Sequence, residues 1–277
     1  MSGGAGLHTL SVGTGGPRVA FLHGLFGQGR NWTQIAKALA GPDGSGARCT
    51  LVDLPDHGRS PWSREFSFEG YAAAVADTLR RIDGEARWVV VGHSLGGKTA
   101  MLLALRYPEL VAGLVVVDIA PKHYGDLERF MGYIEEMQRL PLAQLGSRAD
   151  AEARFEEPNP AVKAFLLQNL RRDGESWRWQ ANLGLVAADA ARGSASAIAD
   201  WPIEIGEVTP FDGPVLWVAG AESPYIQPED IEPMRALFPR VRQITVKGAS
   251  HWVHTDAPDV VVEALRRFVA RTVEVPR

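Results

Sequence analysis

Val89-Val90-Val91-Gly92-His93-Ser94-Leu95-Gly96-Gly97 is the stretch on which the fold turns. A β-branched run ends in Gly-His-Ser-Leu-Gly, and residues 98–106 continue with the character of a helix. This is G-x-S-x-G between a strand and a helix, the setting that lifts a serine hydroxyl above a sheet edge on a strained turn. Gly92 and Gly96 suit such a turn because strand and helix pass too closely for a β-carbon. Free N–H groups at the start of the helix lie within reach of a developing oxyanion. Ser94 is therefore the candidate nucleophile, with the Leu95 N–H as one oxyanion donor.

Upstream, residues 7–12 read as an edge strand, 13–17 as a turn and 18–22 as a second strand. That strand runs into His23-Gly24-Leu25-Phe26-Gly27, a glycine-bearing loop able to offer a second backbone donor. Leu25 is expected to supply it, with Phe26 as the alternative, and His23 is expected to hold the loop by hydrogen bonds rather than act as a base. A helix over 31–39 with Asn31 as its N-cap, a surface loop and a buried strand over 48–54 follow. Asp53, Asp56 and His57 invite a metal or acid–base reading, but they suit a tight, internally bonded loop better and lack a second ligand cluster at zinc spacing. Apolar positions at Tyr71, Val75, Leu79 and Ile82 mark a helix over 68–82.

Downstream, a strand over 113–117 ends at Asp118, which places a carboxylate on the sheet edge that carries Ser94. A loop-capping role for Asp118 is the competing reading. From about 122 to about 210 the strand rhythm is lost. Helices are expected over 126–139, 148–156, 161–171 and 182–188, an insertion placed to act as a lid. Its apolar residues Phe130, Tyr133, Met137, Phe165, Leu166, Trp177 and Trp179 could line an acyl pocket or pack the insertion on the core. A strand over 215–219, a helix over 234–238, a last strand over 241–246 and a closing helix over 258–269 complete the chain. His251 lies in the glycine-bearing loop after the last strand and is the candidate base, with His254 as its competitor. The order Ser94, Asp118, His251 is the order nucleophile, acid, base of an α/β-hydrolase.

Composition narrows the functional classes. A chain of 277 residues with 45% hydrophobic and 22% charged residues suits one large globular α/β domain with an insertion. Its formal net charge of −4 gives no electrostatic case for nucleic acid or an anionic membrane surface. No apolar run approaches the length of a membrane span. Cys49 is the only cysteine, so no intrachain disulfide forms, and its apolar setting makes it an inert core thiol. The first six residues lack the basic and apolar regions of a signal peptide, so a cytoplasmic protein is the expectation.

Six segments recur together in one branch of the α/β-hydrolases: His23-Gly24-Leu25-Phe26-Gly27, Asp53 to Pro61, Gly92 to Lys98, Asp118-Ile119-Ala120-Pro121, Ser223-Pro224-Tyr225 and Gly248 to His254. With Trp177-Arg178-Trp179 and Asn182-Leu183, they resemble the YbfF-type small bacterial esterases, which are related to a mitochondrial α/β-hydrolase-domain protein. The resemblance implies a mostly parallel central sheet flanked by helices, with a core of 1–121 and 211–277. The helical lid, 122–210, is inserted before the strand at about 215–219. It implies hydrolysis of acyl esters or acyl-CoA thioesters, small-molecule substrates, without cofactor or metal. Where the wider superfamily places its acid, after the strand at 215–219, this chain has Ser223, with Glu222 beside it as the alternative acid. In the branch resembled, the aspartate after the preceding strand serves instead, here Asp118, assisted by the serine. Phe26 and Trp252 are the expected substrate contacts.

Three rival functions share parts of this pattern. A menaquinone-pathway synthase of the same fold performs an elimination on an anionic substrate and would need pocket arginines, for which Arg171, Arg172 and Arg178 are the candidates. A cofactor-free haloperoxidase-like activity could use the same three side chains. A non-enzymatic scaffold typically loses the serine or the histidine, and both stand here.

Overall fold

The computed structural model describes residues 6–84, 86–125 and 128–273. The N-terminal residues 1–5, which carry most of the signal-peptide reading, lie outside them. Among the described residues seven strands form one sheet in the order β1-β3-β2-β4-β5-β8-β9. These are β1 (Thr9–Val12), β2 (Arg18–Leu22), β3 (Arg48–Val52), β4 (Trp88–His93), β5 (Val111–Val117), β8 (Val215–Gly220) and β9 (Val241–Val246). Only β1 runs antiparallel, paired with β3 at one edge. Every residue of β4 and β8 is buried. Both faces of a parallel sheet are covered by crossover helices, which is why these strands read as unbroken apolar runs.

On one face Ile35 and Leu39 of α1 (Thr33–Ala40) pack with Val261, Leu265 and Val269 of α10 (Pro258–Val273). On the other lie α2 (Phe68–Asp83), α3 (Leu95–Arg106) and α8 (Ile231–Leu237). α3 is buried from Leu95 through Leu105, because the sheet covers one side and other helices the rest. Such a helix needs no polar face. Each fully buried Val, Leu or Phe contributes about 1.5–3 kcal/mol to holding these layers together.

Between β5 and β8 the chain forms α4 (Glu128–Arg139), α5 (Arg148–Arg154), α6 (Pro160–Leu167) and α7 (Leu183–Ala190). Residues 126 and 127, where α4 was expected to begin, lie outside the described residues. The expectation of an all-helical insertion is corrected here. The helix expected to run to Arg171 stops at Leu167, and β6 (Leu170–Asp173) pairs antiparallel with β7 (Ser176–Trp179) as a hairpin. Gly174, in the two-residue connection, has φ +61°. Asp173-Gly174 is thus a hairpin turn rather than a break between helices. The N-cap expectation at Asn31 is corrected as well. Asn31 belongs to a 3₁₀ turn, Gly29–Trp32, where its carboxamide oxygen accepts from the Gln28 N–H at 2.6 Å, and α1 starts two residues later. A short α9 (Val253–Asp256), not expected from the sequence, follows the loop after β9.

Candidate active site

Ser94 occupies the sharp connection between β4 and α3 at φ +52°, ψ −118°, a conformation that non-glycine residues rarely adopt. The surrounding backbone leaves no alternative. A β-carbon on Gly92 would stand 2.1 Å from the Gly96 carbonyl oxygen, and one on Gly96 2.5 Å from that of His23. Both glycines are required by close approach, and the turn is pinned by the Ser94 N–H donating to Val117 at 3.1 Å. The Ser94 side chain caps none of the N–H groups at the start of α3.

Asp118 follows β5, fully buried, also at positive φ (+51°). Its Oδ1 accepts from the Gly220 N–H at 2.8 Å, and its Oδ2 accepts from His251 Nδ1 at 2.8 Å and from the Ser223 hydroxyl. Three donors around a buried carboxylate are what keeps such a charge tolerable. The bond to Asp118 leaves Nε2 of His251 as the free ring nitrogen, the form a general base needs. Glu222, the alternative acid, is exposed on the next loop. The structure thus brings Asp118, Ser223 and His251 together, and His251 lines one cavity with Ser94.

His93 and Tyr225 complete the setting of the imidazole, and the sequence reading gave neither a role. His93 Nε2 donates to the His251 carbonyl at 2.9 Å, and the Tyr225 ring stacks on His251 with centroids 3.9 Å apart and planes at 17°. The available signals were their positions inside quoted motifs, beside Ser94 and Ser223.

In the loop after β2, Gly27 N–H donates to Gly24 at 2.9 Å to close a turn with Phe26 at φ +60°. Among the described residues the Leu25 N–H meets no acceptor. His23 Nδ1 donates to the Gly24 carbonyl at 2.8 Å, while its Nε2 accepts from Leu54 N–H at 3.0 Å. With both nitrogens engaged, and burial helped by nearby His57 pushing its pKa down to about 3, His23 is a neutral strut. His254, the alternative base, stacks on Trp32 at 4.4 Å and is pushed down to about 4 by burial and by His251. Asp53 accepts from the N–H groups of Gly29 and Arg59. Asp56 accepts from Ser63, Tyr71 and Asn182, and His57 Nδ1 donates to Pro55. These three residues therefore tie loops together. Burial holds the Cys49 thiol up at about 12, so it is not nucleophilic.

The cavity at Ser94 is about 40 Å³, and its apolar wall is Leu25, Phe26 and Trp252 from the core with Phe130, Tyr133 and Phe165 from the insertion. Met137, Leu166 and Trp179 pack in the core, and Trp177 donates to the Leu145 carbonyl within the insertion. Arg171, Arg172 and Arg178 all sit on the β6–β7 hairpin, bonded to Gln180, to Gly174 and to Asp173 respectively, and none lines this cavity. Among the described residues, no helix is long and apolar enough to cross a membrane, and no three His, Cys, Asp or Glu side chains group as metal ligands.

The chain is 36% identical over 260 residues to the sn-1-specific diacylglycerol lipase ABHD11 of Mus musculus, covering 92% of this chain and 81% of the relative. It is 29% identical over 258 residues to the esterase YbfF of Escherichia coli, covering 91% of this chain and 92% of that protein. A solved marine microorganism esterase superposes with a TM-score of 0.86 at 28% identity, over 95% of this chain and 99% of the other. Residues 17–258 match the family model described as the alpha/beta hydrolase fold, and the chain belongs to that family.

Proposed function

We propose that this protein hydrolyses carboxylic esters through an acyl-enzyme on Ser94. The observation that carries the reading is the bond from His251 Nδ1 to the buried Asp118 carboxylate, 2.8 Å, beside a serine held at positive φ. His251 takes the Ser94 proton as the hydroxyl oxygen attacks the acyl carbon, and Asp118 fixes the imidazole tautomer and stabilises the imidazolium. The N–H groups of Leu95 and Leu25 receive the oxyanion. The proton passes from His251 to the departing alcohol, and a water activated in the same way then releases the acid. Ser223 supports the carboxylate, and Phe26 and Trp252 touch the acyl group.

Residues 122–210 serve as a lid. Phe130, Tyr133 and Phe165 of the insertion wall the cavity at Ser94, so their movement would widen it for an acyl ester. Relatives named as a diacylglycerol lipase and an esterase support the ester as substrate class. Acyl thioesters present the same acyl carbon and belong in the first test. Purified protein treated with a fluorophosphonate probe is expected to carry the label on Ser94 and to cleave members of a p-nitrophenyl ester and acyl-CoA panel. Absence of both labelling and turnover would remove the proposal.

A further inference from the structure

Asn169 stands outside the groups that hydrolysis uses, yet it joins the insertion to the turn beside Ser94. It lies between α6 and β6 and is fully buried. Its Nδ2 donates to the Phe26 carbonyl at 2.7 Å and to that of Leu166 at 3.2 Å, and its Oδ1 accepts from Gln28 Nε2 at 2.9 Å. Its backbone is held too, the N–H by Leu166 and the carbonyl by Gln180. Nothing in its sequence context, the end of a helix before an arginine pair, pointed to the site.

The turn it grips is strained. Phe26 sits at φ +60°, a region a phenylalanine rarely enters unless its surroundings over-determine it. The Gly27-to-Gly24 bond does not supply that determination, because the same bond closes a turn whose third residue has negative φ. Asn169 holds the far side of this turn. Its amide takes the Phe26 carbonyl, and Gln28, two residues along the same loop, orients that amide so that nitrogen rather than oxygen faces the carbonyl. The whole arrangement is buried, so water does not substitute for either bond.

We infer that Asn169 is a positioning residue for the oxyanion turn: the insertion, through this amide, holds the Leu25 and Phe26 backbone in the strained form that aims an N–H at the acyl oxygen. The inference rests on the acyl-enzyme reading above. Relaxation of Phe26 to negative φ would rotate the Leu25–Phe26 peptide, and the compensating change at Leu25 would turn the adjoining Gly24–Leu25 peptide, whose N–H is the donor, off line, which costs rate and leaves ground-state binding largely in place.

The test is a cycle of Asn169→Ala and Phe26→Gly, with p-nitrophenyl butyrate as substrate and a trifluoromethyl ketone as the oxyanion-forming inhibitor. In the native background Asn169→Ala is expected to lower kcat about 10- to 100-fold, to change KM less than about threefold, and to weaken the inhibitor in step with kcat. In the Phe26→Gly background, where positive φ carries no strain, the same change is expected to cost less than about threefold. Gln28→Met, which leaves Asn169 in place and removes the bond orienting its amide together with the capping contact to the Asn31 backbone, is expected to act in the same direction more weakly. It serves alone if Asn169→Ala does not fold. An equal loss in both backgrounds, a loss confined to KM, or unchanged activity in Asn169→Ala and Gln28→Met would overturn the inference while native hydrolysis stands. A native protein that neither hydrolyses the ester nor labels at Ser94 would overturn both readings.

Discussion

A single buried carboxylate, Asp118, gathers three hydrogen bonds, from the end of β8, the loop that follows it and the loop after β9. Replacing it by asparagine keeps the shape and lets the imidazole take the wrong tautomer, so Asp118→Asn is expected to lower kcat by about 10⁴-fold. Ser223→Ala removes one of the three donors and is expected to cost about tenfold, roughly one hydrogen bond's contribution. Glu222→Gln, on an exposed loop, is expected to change little. Measured kcat values for the three variants, with circular dichroism to exclude unfolding, check the order, and a loss concentrated in Glu222→Gln would reverse the assignment. Ser94→Ala is expected to lower kcat by at least about 10³-fold while folding normally, read with p-nitrophenyl butyrate. Ser94 and Asp118 were legible in the sequence because each follows directly on a buried strand, where an apolar run gives way abruptly to a polar residue. Tyr225 and His93 were not, because a ring stacked on an imidazole and a bond to a backbone carbonyl leave no periodicity or spacing to read.

The buried elements at the centre of the sheet were the plainest to read. The central strands and α2 carry continuous or evenly spaced apolar residues, so their existence and order followed from the pattern. The β6–β7 hairpin did not, because each strand has four residues and one face turned to water, and Arg171, Arg172 and Asp173 disguise it as a polar helix end. Asn31 misled for a related reason: its side chain does cap backbone, but in the 3₁₀ turn that precedes the helix. Where β4 passes α3 the fit is tightest. Gly96→Ala would place a methyl 2.5 Å from the His23 carbonyl, and neither backbone can move without dragging the sheet. That substitution is expected to cost about 3 kcal/mol or more. Urea denaturation followed by tryptophan fluorescence checks it, and a midpoint equal to that of the native protein would show that the turn yields.

The molecule as a whole is built around histidines kept neutral. Burial lowers His23 to about 3 and His254 to about 4, and it lowers His57 and His93 as well. An unfolded histidine takes a proton near pH 6.5 that these folded ones refuse, so stability is fully present above that pH and is lost as pH falls toward 4. Each contributes up to about 1.4 kcal/mol per pH unit in that window. On the alkaline side Lys98 has the same sign. Its ammonium donates to the Ala199 and Asp200 carbonyls, and burial lowers it to about 7, so stability is expected to rise from pH 7 to about 8.5. Above that Cys49, held protonated to about 12, opposes the rise. Urea midpoints at pH 5, 7 and 8.5 test the curve, and Lys98→Met should abolish the gain between the last two. A gain that survives in Lys98→Met would assign it to another group. The sheet order has one more consequence, in time rather than in space. Leu114 of β5 pairs with Val215 of β8 across about 100 intervening residues, so Ser94 and Asp118 lie on one side of the slowest closure while Gly220, Ser223 and His251 lie on the other. A refolding chain is therefore expected to regain most of its helical signal before it regains reactivity toward a fluorophosphonate. A chain still under synthesis would carry its serine for most of its length before the histidine proposed as its base arrives.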